Sequence, residues 1–238
     1  MKKKYFNLTK TDITLWGISA ALIIVSFFIF GKDGYLTLTA SLIGITSLIF
    51  NAKGNPIGPL LSVVFSVMYG IISYTFSYYG EMATYLGMTA PMSVFSLISW
   101  LKNPFDGSCA EVKVKRISKR ECVFMVLLTA AVTVSFYFVL SALNTANLVP
   151  SVISVATSFL AVYLTFRRSP YFAAAYAAND IVLIIMWAMA ATTDISYVSV
   201  IICFVTFLAN DIYGLVSWLK MQQRQEKSVS CKKSTVAV

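Results

Sequence analysis

The sequence Leu-Ile-Ser-Trp-Leu-Lys at residues 97–102 returns near the end of the chain as Leu-Val-Ser-Trp-Leu-Lys at residues 215–220. Each copy closes a long apolar stretch, and a proline opens the apolar stretch before it, Pro56 in the first case and Pro170 in the second. Each proline follows a short turn that carries basic residues. Matching signals in two parts of one chain indicate an internal repeat, and this repeat decides the fold.

The composition identifies the solvent that surrounds these apolar stretches. Of the 238 residues, 58% are hydrophobic and only 12% are charged, and none is histidine. Since a soluble domain carries about 25% charged residues, this composition excludes a soluble enzyme, a disordered chain and a disulfide-held secreted domain. The absence of histidine also removes Ser-His-Asp and Cys-His catalysis and imidazole metal sites. We therefore predict an integral membrane protein that is not an enzyme and has no metal site and no cofactor.

Eight apolar stretches are long enough to cross a bilayer, whose core of about 30 Å needs about 20 helical residues. Short polar turns separate them, and the alternating segments of a membrane β-barrel do not occur. The chain is therefore predicted to be an all-α integral membrane protein with eight transmembrane helices. The predicted spans are Ile13–Phe30, Tyr35–Phe50, Ile57–Tyr79, Met82–Leu101, Glu121–Leu143, Val149–Phe166, Tyr171–Ala190 and Ile195–Leu219.

The placement of lysine and arginine predicts the orientation of these spans. Basic residues concentrate in cytoplasmic loops, and a cytoplasmic N-terminus puts 18 of the 19 basic residues on that side, with Lys32 as the exception. Eight spans then place both termini in the cytoplasm. The basic run at residues 113–120 is interpreted as a topology signal on the membrane surface, with an anionic-lipid or nucleic-acid patch as the alternative. Our expectation is that the chain binds no nucleic acid.

The repeated unit comprises three spans, two to four in the first copy and six to eight in the second. Because three is odd, the single fifth span is needed to make the two copies parallel, which gives a 3+1+3 arrangement of the kind found in SWEET transporters. The first span is an extra N-terminal helix, expected at the periphery. The predicted segments are 1–34 (N-terminus and first helix), 35–101 (first bundle), 102–148 (basic loop and linking helix), 149–222 (second bundle) and 223–238 (basic cytoplasmic tail).

Two acidic residues lie well inside predicted spans, and each follows an asparagine: Asn179-Asp180 and Asn210-Asp211. A charged group at the bilayer centre costs about 2.5–3.5 kcal/mol even on the most lenient scale, so these side chains must face protein or a cavity. Both pairs lie roughly 12–14 Å from the cytoplasmic boundary at about 1.5 Å per residue. Transporter substrate sites lie near this depth. The alternative is that these groups serve only as hydrogen bonds between spans seven and eight.

Helical spacing predicts which side chains accompany the two pairs. Trp187 shares a face with Asp180, and Tyr213 shares a face with Asn210. The first repeat offers uncharged groups in the corresponding region, among them Tyr69 and Tyr74. Aromatic faces with amides, hydroxyls and a carboxylate suit a flat polar ligand, and the acids suit a positive charge. By contrast, the matched Trp100 and Trp218, together with Trp16, are interpreted as anchors in the interfacial aromatic belt.

The run Phe207-Leu208-Ala209-Asn210-Asp211-Ile212-Tyr213-Gly214-Leu215-Val216-Ser217-Trp218-Leu219-Lys220 resembles the closing-helix signature of the PnuC family of vitamin transporters. Trp187 and the 3+1+3 plan are also similar to that family. The resemblance implies facilitated diffusion of nicotinamide riboside across a bacterial cytoplasmic (inner) membrane, with intracellular phosphorylation trapping the vitamin. It also implies that Trp187, Asn210 and Tyr213 line the substrate site, with Asn179 and Asp180 near the ribose or the ring. The sequence departs from the family at Met92, Ser93 and Phe95 and at Met186.

Several alternatives stay open at this point. Thiamine or riboflavin is the alternative substrate, since relatives carry them, and proton coupling through Asp180 or Asp211 is the alternative to uniport. A membrane receptor or scaffold that binds a ligand without transporting it is the alternative function. The expected partners are the vitamin and the lipid bilayer, and a homo-oligomer is one alternative for the assembly.

Overall fold

A computed structural model of the chain describes residues 8–30, 34–75, 79–106, 108–145 and 147–236. The predictions that concern Lys2, Lys3, Lys4 and Lys32 lie outside these residues. Nine α-helices make up almost all of the described part: α1 (Lys10–Phe30), α2 (Tyr35–Ala52), α3 (Ile57–Thr75), α4 (Tyr79–Thr84), α5 (Ala90–Leu101), α6 (Lys119–Ala142), α7 (Leu148–Phe166), α8 (Phe172–Ala191) and α9 (Val198–Val236). The prediction of an all-helical membrane protein is confirmed.

Seven helices within the described ranges are long and apolar enough to cross a membrane: α1, α2, α3, α6, α7, α8 and the stretch Ile195–Val229. The predicted span Met82–Leu101 differs, because it consists of α4, a π-helical turn at Tyr85–Thr89 and α5 in direct succession. The sequence gives the reason. Pro91 lacks an N–H donor, and a π-turn just before a proline absorbs the lost hydrogen bond.

Two turns have the same backbone course. The turn between α2 and α3 contains Gly54 with φ +64°, and the turn between α7 and α8 contains Arg168 with φ +60°. In each, a left-handed residue ends the helix by letting the following amides bond back to its last carbonyls. Pro56 and Pro170 then prevent the preceding helix from continuing, as the repeat in the sequence predicts.

Trp100 and Trp218 lie next to these two turns, and both are fully buried. Trp100 Nε1 donates to the carbonyl of Thr165 at 2.8 Å, and Trp218 Nε1 donates to the carbonyl of Asn51 at 2.7 Å. The ring centroids of the two tryptophans are 5.4 Å apart. Their interpretation as interfacial anchors is therefore wrong, because the indoles satisfy helix-terminal carbonyls that lack intrahelical partners. Trp16 is 41% exposed and donates to Thr46 Oγ1 at 3.0 Å.

A short β-hairpin covers this end of the bundle, which we call the hairpin end. Its strands are β1 (Pro104–Phe105) and β2 (Ser108–Val112), paired antiparallel. The amide of Val112 donates to the carbonyl of Gly54 at 2.9 Å, and the amide of Lys115 donates to the carbonyl of Arg168 at 3.0 Å. The end of β2 contacts the first turn, and the segment that follows it contacts the second.

Helix α9 continues well past Trp218 and packs on the hairpin and the segment after it. Gln225 is buried, and its side chain bonds to the carbonyl of Val112 and to the amide of Val114. Arg224 pairs with Glu111, and Arg116 pairs with Glu226. The helix therefore runs without a break through the predicted boundary between segments 149–222 and 223–238.

Candidate functional site

A cavity of about 140 Å³ lies inside the bundle, lined by α2, α3, α4, the π-turn, α6, α7, α8 and α9. It reaches from Asn51 and Ser62 near the hairpin end to Glu81 and Thr145 near the opposite end. Its wall combines aromatic rings, hydroxyls and carboxyl groups. Such a mixture in a concave, largely apolar pocket is typical of a small-molecule site.

Five of the eight residues predicted for the site line this cavity: Tyr69, Asn179, Asp180, Trp187 and Asp211. Asn179, Asp180 and Trp187 all lie on α8, where the seven-residue spacing places Trp187 on the face of Asp180. Tyr69 lies on α3, and Asp211 lies on α9.

The other three predicted residues, Tyr74, Asn210 and Tyr213, lie elsewhere. Tyr74 is 62% exposed and packs edge-on against Tyr79. Asn210 Nδ2 donates to Ser19 Oγ of α1 at 2.9 Å, and the Tyr213 hydroxyl donates to Asp12 of α1 at 2.5 Å. Consecutive helical residues point about 100° apart, so Asn210 and Asp211 cannot share a face, and the structure turns Asp211 to the cavity. Sequence reasoning treated α1 as peripheral and therefore missed it as a partner for that face.

Asn179 is held by three hydroxyls of α7. Its Oδ1 accepts from Ser154 at 3.1 Å, from Thr157 at 2.9 Å and from Ser158 at 3.0 Å. Since hydroxyls at these spacings share one face of a helix, α7 presents a continuous hydroxyl stripe to α8. The amide oxygen is saturated by this contact, so what Asn179 offers a ligand is its Nδ2 donor.

Asp180 and Asp211 form a carboxyl pair between α8 and α9. Their side chains are hydrogen-bonded to each other, and each residue is 4% exposed. Asp180 Oδ2 itself has no hydrogen-bond partner among the described residues. Two carboxyl groups in such contact share one proton, because two adjacent negative charges repel each other strongly in a buried site. The pair therefore contributes at most one negative charge to the cavity.

An aromatic cluster lines the wall contributed by α3, the π-turn and α9. The ring centroids of Phe65 and Tyr69 are 4.7 Å apart, and those of Tyr69 and Tyr85 are 5.2 Å apart. Phe207 packs on Phe65 at 6.0 Å. Gly44 of α2 backs this cluster so closely that a Cβ there would lie 2.7 Å from the Phe207 ring. The cluster offers flat apolar faces of the kind that stack on a ring.

Sequence reasoning missed Glu81, which lines the cavity from α4. It was assigned to the break between spans three and four, since it sits at the very start of an apolar stretch. A signal was nevertheless present, because Glu81 lies four residues before Tyr85 and so shares its helical face. No lysine or arginine occurs among the described residues that line the cavity, and no three acidic, cysteine or histidine side chains of the described ranges gather as metal ligands.

Comparisons with known proteins agree on one family. A sequence profile described as "nicotinamide mononucleotide transporter" matches residues 34–220. The nicotinamide riboside transporter PnuC of Neisseria mucosa is 27% identical over 201 residues, which cover 83% of this chain and 76% of the relative. The protein of the same name from Haemophilus influenzae is 21% identical over 197 residues, covering 81% of this chain and 82% of the relative.

A solved structure is similar over almost the whole chain. The crystal structure of the vitamin B3 transporter PnuC matches with a TM-score of 0.78 and 25% sequence identity, covering 94% of this chain and 97% of that one. At 94% of this chain, the match extends beyond the residues of the family profile.

Proposed function

The chain belongs to the nicotinamide mononucleotide transporter family, and from this premise we propose that it carries nicotinamide riboside across the membrane. The resemblance drawn from residues 207–220 is thereby confirmed. The two relatives named above are riboside transporters, whereas the family name refers to the mononucleotide. The two substrates differ by a phosphate group, so the charge of the cavity bears directly on the choice between them.

One observation favours the riboside over the mononucleotide as the substrate. The cavity wall holds the carboxyl groups of Glu81, Asp180 and Asp211, and no lysine or arginine is among the described residues that line it. A phosphate dianion buried beside carboxylates without a cationic partner would meet both desolvation and repulsion. Nicotinamide riboside is a cation, so the same wall attracts it.

The substrate contacts follow from the chemistry of each wall. The aromatic faces of Tyr69 and Trp187 hold the nicotinamide ring, and Asn179 donates its Nδ2 hydrogens to ribose hydroxyls. The Asp180–Asp211 pair accepts hydrogen bonds from the ribose and contributes negative charge. Asn210 and Tyr213 act outside the cavity by holding α9 against α1.

Transport proceeds by facilitated diffusion with alternating access, and intracellular phosphorylation traps the product. We infer that eight spans form a 3+1+3 arrangement with an extra N-terminal helix, in which two parallel bundles would rock about a central site. The reciprocal bonds of Trp100 and Trp218 support the pairing of the two bundles. The hairpin end is the cytoplasmic end of a bacterial inner-membrane protein, since the basic residues of the turns and of residues 113–120 gather there.

The test is uptake of labelled nicotinamide riboside into proteoliposomes that contain the purified protein. We expect saturable uptake that trans-loaded riboside accelerates and that nicotinamide mononucleotide does not compete for. Trp187→Ala should weaken riboside binding by about tenfold or more because a stacking face is lost. Trp16→Ala, on α1, is the matched control and should leave binding unchanged. Binding without flux would instead identify a receptor, and tighter binding of thiamine or riboflavin would overturn the substrate.

Proton coupling is the second candidate mechanism, and the Asp180–Asp211 pair is the observation that favours it. The two mechanisms differ in one measurement. A facilitator equilibrates the riboside regardless of a pH gradient, whereas a proton-coupled carrier accumulates it. If the wild-type protein accumulates riboside in a pH gradient and Asp211→Asn retains only counterflow exchange, uniport is wrong.

A further inference from the structure

We propose that Glu81 is the specificity-determining carboxylate that recognises the positive charge of the substrate ring. The proposal rests on the proposed function and adds a residue and a location to it. The pyridinium ring of the riboside, held by Tyr69 and Trp187, would also meet Tyr85 at the end of the cavity opposite the hairpin, with Glu81 beside it.

The position of Glu81 is fixed by its neighbours in the chain and in space. Gly80 packs so tightly on α6 that a Cβ there would lie 2.7 Å from Leu140 Cδ2 and would collide with Thr145 Oγ1. The backbone at the start of α4 is therefore held against α6 and the turn after it, and a larger residue at position 80 would push it away. The Glu81 side chain is hydrogen-bonded by the hydroxyl of Ser73 on α3.

Glu81 differs from the other two acids of the cavity in its partners. Asp180 and Asp211 bond to each other and share a proton, so much of their negative charge is neutralised within the pair. Glu81 has a neutral hydroxyl as its partner. A carboxylate that lines an internal cavity without a cationic partner is unfavourable, and a cationic ligand removes that penalty.

The aromatic neighbours of Glu81 favour the same ligand. Tyr85 lies one helical turn after Glu81, and its ring is 5.2 Å from that of Tyr69. Aromatic faces attract cations through their quadrupole, most strongly where water is excluded. A flat cation that stacks on these rings would thus place its charge near the Glu81 carboxylate. A neutral ring of the same shape would gain the stacking alone.

The experiment compares two forms of one ligand that differ in ring charge. Nicotinamide riboside is cationic, and its reduced dihydropyridine form has the same ribose and carboxamide and is neutral. Binding of both to the purified full-length protein in nanodiscs is measured by calorimetry. We expect the wild-type protein to prefer the cation, and Glu81→Gln to weaken cation binding by about tenfold while binding of the neutral form changes less than about twofold. Glu111→Gln, at the hairpin end, is the matched control and should leave both unchanged.

The possible outcomes distinguish a role of Glu81 in recognising charge from a role in supporting the cavity. Equal loss of both forms in Glu81→Gln would show that Glu81 only supports the fold of the cavity, and an unchanged preference would show that it does not sense charge. Either result overturns the inference and leaves the proposed function standing, whereas a wild-type protein that binds neither form overturns the proposed function. If Glu81→Gln does not fold, Glu81→Asp replaces it. The shorter side chain withdraws the carboxylate from the ring, so an unchanged preference there would equally overturn the inference.

Discussion

The turn between α2 and α3 and the turn between α7 and α8 have the same backbone design with different side chains. Each contains one left-handed residue, Gly54 in the first and Arg168 in the second. In each, the carbonyl three residues earlier, Asn51 or Thr165, accepts a hydrogen bond from a tryptophan in the other half of the chain. The contact is reciprocal, so each half closes the helix end of the other.

Each turn also carries a basic residue that pairs with an acid in the first turn of a flanking helix. Lys53 pairs with Asp12 of α1 at 2.8 Å, and Arg167 pairs with Glu121 of α6. The Asp12 side chain is fully buried and also accepts a bond from Tyr213, whereas Glu121 and Arg167 remain 15% and 28% exposed. Helix α1 therefore pairs with the first turn in the same way that α6 pairs with the second. The acid that makes the contact is more deeply buried in α1. A helix that looks like an appendage in the sequence is a structural part of its half.

Removing the basic residue of each turn is expected to give the largest difference between them. Lys53→Met leaves the Asp12 carboxylate buried without a counter-charge, so the free energy of unfolding should fall by about 3 kcal/mol, the lower end of the range for a broken buried pair. Arg167→Met, whose partner is partly exposed, should lower it by about 1 kcal/mol. Equilibrium unfolding in mixed micelles measures both.

The double variant Lys53→Met, Asp12→Asn removes both charges of the buried pair and should recover most of the loss. Equal losses for Lys53→Met and Arg167→Met would contradict the difference in burial on which the comparison rests.

Replacing either tryptophan should lower the free energy of unfolding by the same amount. Both are fully buried, and each makes one indole hydrogen bond to a carbonyl. Trp100→Phe and Trp218→Phe each remove one of the donors to a carbonyl that also accepts a turn amide, from Arg168 or Gly54, so each should cost about 0.5–1.5 kcal/mol. The same unfolding measurement applies, with Trp16→Phe as a control at a partly exposed indole. A loss confined to one of the two variants would show that the contact is not reciprocal in energy.

Substitutions at the two left-handed residues should change the stability of the protein in opposite directions. Gly54→Ala places a side chain at φ +64°, with its Cβ about 3.1 Å from Met221 Cε, and should cost about 1 kcal/mol. Arg168→Gly removes the strain of a left-handed arginine and should stabilise the protein by about 0.5–1 kcal/mol. Burial and the neighbouring Arg167 lower the pKa of the Arg168 guanidinium, so the lost side chain is one the turn holds at some cost. Destabilisation by Arg168→Gly, measured as a lower melting temperature, would show that the guanidinium makes a contact that outweighs the strain.

The length and apolar character of the stretches predicted the membrane helices well, because a membrane helix is specified by its own apolar residues. The irregular fourth span was signalled by Pro91, although the π-turn that accommodates it depends on packing. The interpretation of Trp100 and Trp218 failed for a different reason. A tryptophan at the end of an apolar stretch looks the same in sequence whether it faces lipid or a neighbouring helix end.

The candidate site was predicted in part. On α8, Asn179 and Asp180 were identified as polar residues inside an apolar span, and the seven-residue spacing from Asp180 identified Trp187. On α9, the choice between Asn210 and Asp211 depends on how the helix is rotated about its axis, and contacts with α1 set that rotation. Glu81 was missed because its position inside the bundle depends on how deeply α4 begins, which the pattern of apolar residues does not define.

The stretch from the end of β2 to Lys115 sets a limit on motion at the hairpin end of the protein. The amides of Val112 and Lys115 bond to the carbonyls of Gly54 and Arg168, one in each turn. Three residues of fully extended chain span at most about 10 Å, so the segment acts as a strap of fixed length between the two halves. The turns can separate beyond that reach only if one of these backbone bonds breaks, at a net cost of about 1 kcal/mol. Opening at the hairpin end therefore requires one of these two hydrogen bonds to break, whereas small rotations of the two turns leave both bonds intact.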